Sequence, residues 1–503
     1  MSTASAETAR TFRLPQEIWL WGGGLAYAAL LWVLMIRGQV NLLGAILAFS
    51  VLLLTLFFSR TTAALSTLVY LNILGDLRRL MAATFGPPPT LDLLLLVGPA
   101  MAVILALPQL MRVRLTDRLS KAMFFLLVLM VLQVFNPLQG GISIGLSGAI
   151  FYIAPVLWFW VGRELASPAV LQRLLYRLLL PLSVVAALLG LGQTFIGFLP
   201  YEQAWINIAT KTYVALYVGH SVRAFGFSVS GAEYAALLAI GGAIAAASFF
   251  GVKRYWTVAF PLLVVAVFLA SSRGVVIRLI MSLAAVWVLR KGQKVGVRQI
   301  LYTGTLMIAG LLVAAFAASH LGSDTTASQS NSAAQSLIAH QTGGFAHPLD
   351  PKYSTAGIHR DMIVFGFLQG FKNPIGHGLG STTLAASKFG GDPSVSSSEV
   401  DMSDMFISLG LVGGLLYLYI VLATARRALR YVQRVDLSVG LPLCAVLVVT
   451  FTTWLIGGQY STSSVVCFLI GALVHRDATE MGADPDPVLE PGPMGAPMLP
   501  AEL

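Results

Sequence analysis

Apolar residues along this chain come in runs of about twenty, the length a helix needs to cross the hydrocarbon core of a bilayer. The runs recur from residue 16 to residue 475 with one long interruption. They predict spans near 17–36, 41–58, 61–76, 91–110, 119–135, 145–162, 178–198, 231–250, 255–270, 274–289, 299–318, 403–425, 438–457 and 459–475. The expected fold is an all-α polytopic membrane protein of about fourteen transmembrane helices with one large periplasmic loop. A polar leader, 1–15, precedes the first span with no small-residue cleavage site after it, so that helix is expected to be retained. Transmembrane helices fill 16–318, the loop occupies 319–402, further helices fill 403–475, and the proline- and acid-rich 476–503 reads as a disordered cytoplasmic tail.

The loop divides in two. Residues 324–347, rich in Ser, Ala, Gln and Thr, carry no hydrophobic period and read as a mobile or poorly packed lid. Farther on, Ile358, Met362, Phe365 and Leu368 recur at helical spacing before Asn373-Pro374. They predict an amphipathic helix lying against the outer membrane surface.

Composition agrees with lipid as the solvent: 57% of the 503 residues are apolar and 11% are charged, against about a quarter charged in soluble domains. The net charge of +10 does not form a stripe suited to nucleic acid. With the amino terminus inside, the basic residues sit on inward connections, among them Arg60, Arg112, Arg163, Arg254, Arg290 and Arg426, as orientation in a bacterial inner membrane requires. Cys444 and Cys467 lie in late apolar runs and act as small hydrophobes. No G-x-x-x-x-G-K-[ST], H-E-x-x-H or C-x-x-C pattern occurs. No metal or cofactor is therefore expected, and energy for any reaction would arrive in the substrate.

A second set of charges opposes the orientation rule: Arg37, Arg78, Arg79, Lys211, Arg223, Arg273, Lys352, Arg360, Lys372 and Lys388, with Arg278 inside a predicted span. Guanidinium groups at that depth seek phosphate or carboxylate, because the planar fork binds two oxygens and an unpaired charge is costly. Arg78 and Arg79 fit either an anionic ligand or an internal partner such as Asp76. Arg223 and Arg273, each beside small residues in a turn, point to an anionic ligand. Arg278 lies about 7.5 Å beyond Arg273 along a helix; it either faces the same cavity at greater depth or meets Glu233.

Glu399, Asp401 and Asp404 stand just before the span that begins near 403, where a carboxylate could take a proton from an attacking hydroxyl or simply cap the helix. His359 and His377 are further outward candidates.

Four pieces occur in an order that resembles the O-antigen ligase and polymerase (Wzy-like) superfamily. They are Arg223-Ala-Phe-Gly-Phe-Ser; Ser271-Ser272-Arg273-Gly274; His359-Arg360 through Asn373-Pro374-Ile375-Gly376-His377-Gly378-Leu379-Gly380; and Leu409-Gly410-Leu411-Val412-Gly413. The resemblance implies transfer of a glycan from undecaprenyl pyrophosphate to an acceptor hydroxyl at the periplasmic face, without metal or nucleotide. It implies that Arg223, Arg273 and Arg360 hold the pyrophosphate. Ligase members carry a histidine where this chain has Glu399, a departure that favours a polymerase joining repeat units of an exopolysaccharide, capsule or O-antigen. Glu399 would then be the base, with Asp401 next in line. The implied partners are the lipid-linked donor and acceptor, membrane lipids, a chain-length regulator and export machinery. A ligase differs only in acceptor. A lipid-linked oligosaccharide flippase would also need a cationic cavity, but the chain has no duplicated halves, and its single large loop favours chemistry on one face.

Overall fold

Apolar runs and helices coincide along most of the chain. In the computed structural model, which describes residues 16–86, 92–112, 115, 117–209, 217–218, 221–250, 254–290, 333–383, 386, 389–390 and 397–475, the first helices are α1 (Gln16–Ile36), α2 (Val40–Leu56), α3 (Arg60–Phe85), α4 (Leu93–Met111), α5 (Arg118–Gln133) and α6 (Ile142–Leu165). They are followed by α7 (Pro168–Phe195), α8 (Pro200–Ala209), a short hairpin of β1 (Tyr217–Val218) and β2 (Ser221–Val222), α9 (Gly231–Ser248), α10 (Phe260–Leu269) and α11 (Arg273–Leu289). After the interruption come α12 (Ala333–Ala346), α13 (Ala356–Lys372), α14 (Asp401–Arg434), α15 (Leu437–Val449) and α16 (Tyr460–Ala472).

Short polar side chains start several of these helices by accepting otherwise orphaned backbone N–H groups: Ser59 from Thr62, Asp117 from Ser120, Ser230 from Glu233 and Asp436 from Ser438. Helices α4, α6, α7, α9 and α14 are long and apolar enough to cross a membrane, and shorter apolar helices accompany them. The chain is a helical membrane protein. The predicted leader 1–15, span 299–318 and tail 476–503 lie outside the described residues, as do Lys211 and Lys388.

Small residues let the helices approach. A Cβ on Gly162 of α6 would strike the carbonyl of Phe468 in α16, and one on Gly471 of α16 would strike that of Phe159. Close backbone contact of this kind holds helices together in lipid, where burial of apolar surface gives no drive.

The structure departs from the sequence expectation in three places. Helix α3 runs on to Phe85, so Arg78 and Arg79 lie within it and not beyond its end. Residues 333–346 form a helix where a loose lid was expected; Ala334, Leu337, Gln341 and Gly344 are buried, so small side chains replace the missing hydrophobic period. Helix α15 stops at Val449, and the backbone from 450 to 459 is largely buried without being regular helix. Helix α13 forms where the spacing expects a helix; it packs through Gly366 and Gly370 against Ser403, Ile407 and Phe406 of α14, leaving Ile358, Val364, Leu368 and Phe371 exposed.

The Gly-rich run after α13 is a docked segment. Gly410, at φ +71°, breaks α14 and frees its carbonyls, so Ile407 accepts from the backbone N–H of His377 (2.9 Å) and Ser408 from that of Gly378 (3.1 Å). Gln133 and Asn136, at the end of α5, donate to the carbonyls of Ile375 (2.6 Å) and Gly376 (2.9 Å). Gly376 needs its left-handed φ of +88°, and a Cβ there would sit 2.6 Å from the Gly410 nitrogen.

Candidate functional site

The carboxyl half of α3, the 223–230 loop, the turn between α10 and α11, helices α12 and α13, the start of α14 and the 450–459 segment meet at one end of the helix bundle. Arg79 organises one part of it. Its side chain is 1% exposed and donates through Nη1 to the Ser228 carbonyl and through Nη2 to that of Gly226, both at 2.8 Å. Its guanidinium lies 4.3 Å from the centre of the Phe225 ring and 3.5 Å from Asp76. Gln193 accepts from the Phe225 and Gly226 N–H groups on the other side. Arg78 pairs with Asp92 across to the start of α4. Both arginines therefore have protein partners: Arg79 holds the loop in place, and neither is aimed at a ligand.

That pinned loop presents Arg223, the residue just before it. Arg223 has a buried Nε with no hydrogen-bond partner. Burial, and then the nearby charge of Arg273, weakens its hold on its proton, while Glu399 opposes them. Arg273 opens α11 after Ser271, which stands at a left-handed φ of +55°. It donates to the Tyr353 carbonyl at 2.9 Å and lies 3.5 Å from His340 Nε2. Its guanidinium rests on Gly344 of α12, where a Cβ would collide with it. The other ring nitrogen of His340 is 2.8 Å from Ser271 Oγ. Arg223 and Arg273 thus reach one place from separate turns, two like charges with neutral acceptors on one of them. Such an arrangement calls for an anion between the forks.

Arg278, farther along α11, donates to Thr452 Oγ1 at 3.3 Å and lies within electrostatic reach of Asp401. It does not pair with Glu233, whose carboxylate accepts from Ser461 N (2.7 Å) and Oγ (2.8 Å). Asp401 is 1% exposed. It accepts from Tyr417 Oη and the Trp454 N–H, both at 2.7 Å, and donates its own N–H to Thr452. These bonds pair the Trp454 N–H and the Thr452 carbonyl of the irregular 450–459 backbone, groups that no helix ladder satisfies. Asp401 is thereby removed from the surface where a base would act. Asp404 is likewise spent on Ser397 and Ser398.

Glu399 is exposed, stands at φ +61°, and brings a carboxylate oxygen to 3.6 Å from His359 Nδ1. Among the described residues, Ser271, Glu399 and Thr452 are the non-glycine positions with positive φ. All of them lie here, where strain in the backbone commonly accompanies function. Arg360 points away into solvent and pairs with Asp361 at 2.8 Å. His377 turns to Asn373 at 2.8 Å and Gln369 at 3.4 Å within the docked segment.

The expected residues thus separate. Arg223 lies within electrostatic reach of both Arg273 and Glu399, and Glu399 pairs with His359, whereas Arg278 turns to Thr452 and Arg78, Arg79, Asp401, Arg360 and His377 are engaged elsewhere. His340 and Tyr353 belong to the cluster and were not legible as such; the Gly343-Gly344 pair, which lets an arginine lie on α12, was the available signal. Among the described residues no group of His, Cys, Asp and Glu could hold a metal ion. Comparison of the chain with protein-family models, with curated proteins and with solved structures gives no match.

Proposed function

We propose that this protein is a glycosyltransferase that polymerises undecaprenyl-pyrophosphate-linked oligosaccharide repeat units at the periplasmic face of a bacterial inner membrane. In this reading about fourteen helices span the bilayer, and the 319–402 loop closes the site on the outer side. The observation that carries it is the approach of Arg223 and Arg273 from separate turns, with no carboxylate bonded to either among the described residues. Two forks so placed suit the paired phosphates of a lipid diphosphate.

The chemistry follows from that grip. An acceptor hydroxyl attacks the anomeric carbon, the bond from that carbon to the diphosphate oxygen breaks, and its electron pair leaves with the diphosphate. The acceptor proton passes to Glu399, with His359 beside it. Because negative charge grows on the leaving diphosphate, guanidinium groups bind the transition state more tightly than the donor and lower the barrier.

A second reading, transfer of a finished glycan to another lipid or protein, is favoured by one observation. The histidine that ligase members are expected to carry at the Glu399 position has a spatial counterpart in His359.

Arg223→Ala and Arg273→Ala should each abolish polymer while the protein still inserts and lipid-linked single repeats accumulate. Polymer of normal length and amount in both variants would reject the diphosphate role. Glycan transferred to a different acceptor, with no repeat-unit polymer in the wild type, would select the second reading.

A further inference from the structure

His340 is the one titratable side chain in direct contact with Arg273 that the mechanism above leaves idle. A guanidinium has no acceptor, so the ring nitrogen facing Arg273, Nε2, must present its lone pair. The proton of the neutral ring then resides on Nδ1 and is donated to Ser271 Oγ at 2.8 Å. The imidazole is thus fixed in one tautomer, its free lone pair turned toward the place where Arg223 and Arg273 meet.

The surroundings of α12 oppose a proton on that ring. Arg273 comes from α11 and Arg223 from the end of β2, Glu399 acts on Arg223 from the far side, and α7 and α10, the other helices packed on α12, carry no charged side chain in the contacting stretches. Burial first, and then the two arginines, pulls the His340 pKa down from 6.5 to about 4. A diphosphate between the forks would neutralise both arginines and draw Arg273 off Nε2. That removes two of the causes and exposes the lone pair beside an anion.

We propose that His340 is a further ligand of the diphosphate, taking up a proton as the donor binds and presenting it from Nε2 to a phosphate oxygen. The proposal rests on the diphosphate reading above and deepens it. A donor diphosphate esterified at both ends carries two negative charges, which Arg223 and Arg273 balance. When the glycan departs, the bond to the anomeric carbon breaks and the diphosphate keeps the electron pair as a third negative charge. Protonated His340 supplies the third positive one, so its attraction is greatest after the transition state begins to form.

The test is calorimetric titration of the purified full-length protein with a short-chain polyprenyl diphosphate sugar, in two buffers of different ionisation enthalpy. The diesterified diphosphate does not itself titrate in the working range, so any proton bound is the protein's. The wild type should take up about one proton per ligand. Its affinity should rise as pH falls from 6.5 towards 4, by up to about tenfold per unit, and level off below. His340→Gln should bind with no proton uptake and a flat pH profile. Binding by the wild type without proton uptake, or uptake unchanged in His340→Gln, would overturn the role of His340 and leave the arginine site standing. No binding by the wild type would overturn both. Should His340→Gln fail to fold, Glu399→Gln decides: uptake that persists there supports the histidine, and uptake lost there overturns its role.

Discussion

Two pairs of arginines, Arg78 with Arg79 and Arg223 with Arg273, both fall where the sequence expects outward connections and differ in what surrounds them. Arg79 is enclosed by two carbonyls, an aromatic ring and Asp76, and Arg78 is paired with Asp92. Each charge of this pair is answered inside the protein. Arg223 and Arg273 instead lie within electrostatic reach of one another, and the second has only a carbonyl and a neutral imidazole beside it. A guanidinium with its partners built in is part of the scaffold. One placed near another guanidinium and short of charged partners is a site for an anion, since like charges brought together are costly until an opposite charge offsets them. The two pairs are also linked, because the loop that Arg79 pins continues into Arg223.

The difference can be broken by mutation, most strongly at Arg79. Arg79→Ala leaves the Ser228 carbonyl buried and unpaired and the Gly226 carbonyl with only the longer bond from Gln193 (3.3 Å), and should cost about 2–4 kcal/mol with the lost ring contact. It should be read as a lower unfolding temperature and loss of monodisperse protein. Arg223→Ala and Arg273→Ala should do the reverse, leaving unfolding within about 1 kcal/mol of wild type while lowering transfer by about 10²–10³-fold. If they destabilise as Arg79→Ala does, the distinction fails. Glu399→Gln should slow transfer by about 10²-fold with donor binding nearly unchanged; unchanged turnover would pass the proton to His359. Gly376→Ala, forced into a left-handed turn against Gly410, should cost about 1–3 kcal/mol, read as easier proteolysis of the segment after α13. Smallest of all, Arg360→Ala should leave transfer within about threefold of wild type, as expected for an exposed pair of little energetic worth. A large loss there would return Arg360 to the grip.

The apolar helices were legible because their length depends only on local composition and their starts on nearby Ser and Asp caps. The candidate arginines were legible too, since they stand out between apolar runs. Their partners were not. Arg79 meets Gly226 across 147 residues and Arg273 meets His340 across 67, and nothing local distinguishes an arginine that will be answered from one that will not. The apolar run through 438–457 hid a break because Thr450 to Gln459 remain largely buried; what permits the irregular backbone is Asp401, supplied from another helix. Helix α12 was missed because it packs with Ala, Gly and one leucine, Leu337, against neighbours that need no bulk.

The central claim is that Arg223 and Arg273 hold one diphosphate together. Equilibrium binding of a short-chain polyprenyl diphosphate sugar to the wild type, the two single alanine variants and the double variant tests it most directly. The account predicts that each single change removes most of the affinity and that the double change costs far less than the sum, as for two groups acting on one ligand. Full additivity, or binding undiminished in either single variant, would contradict it.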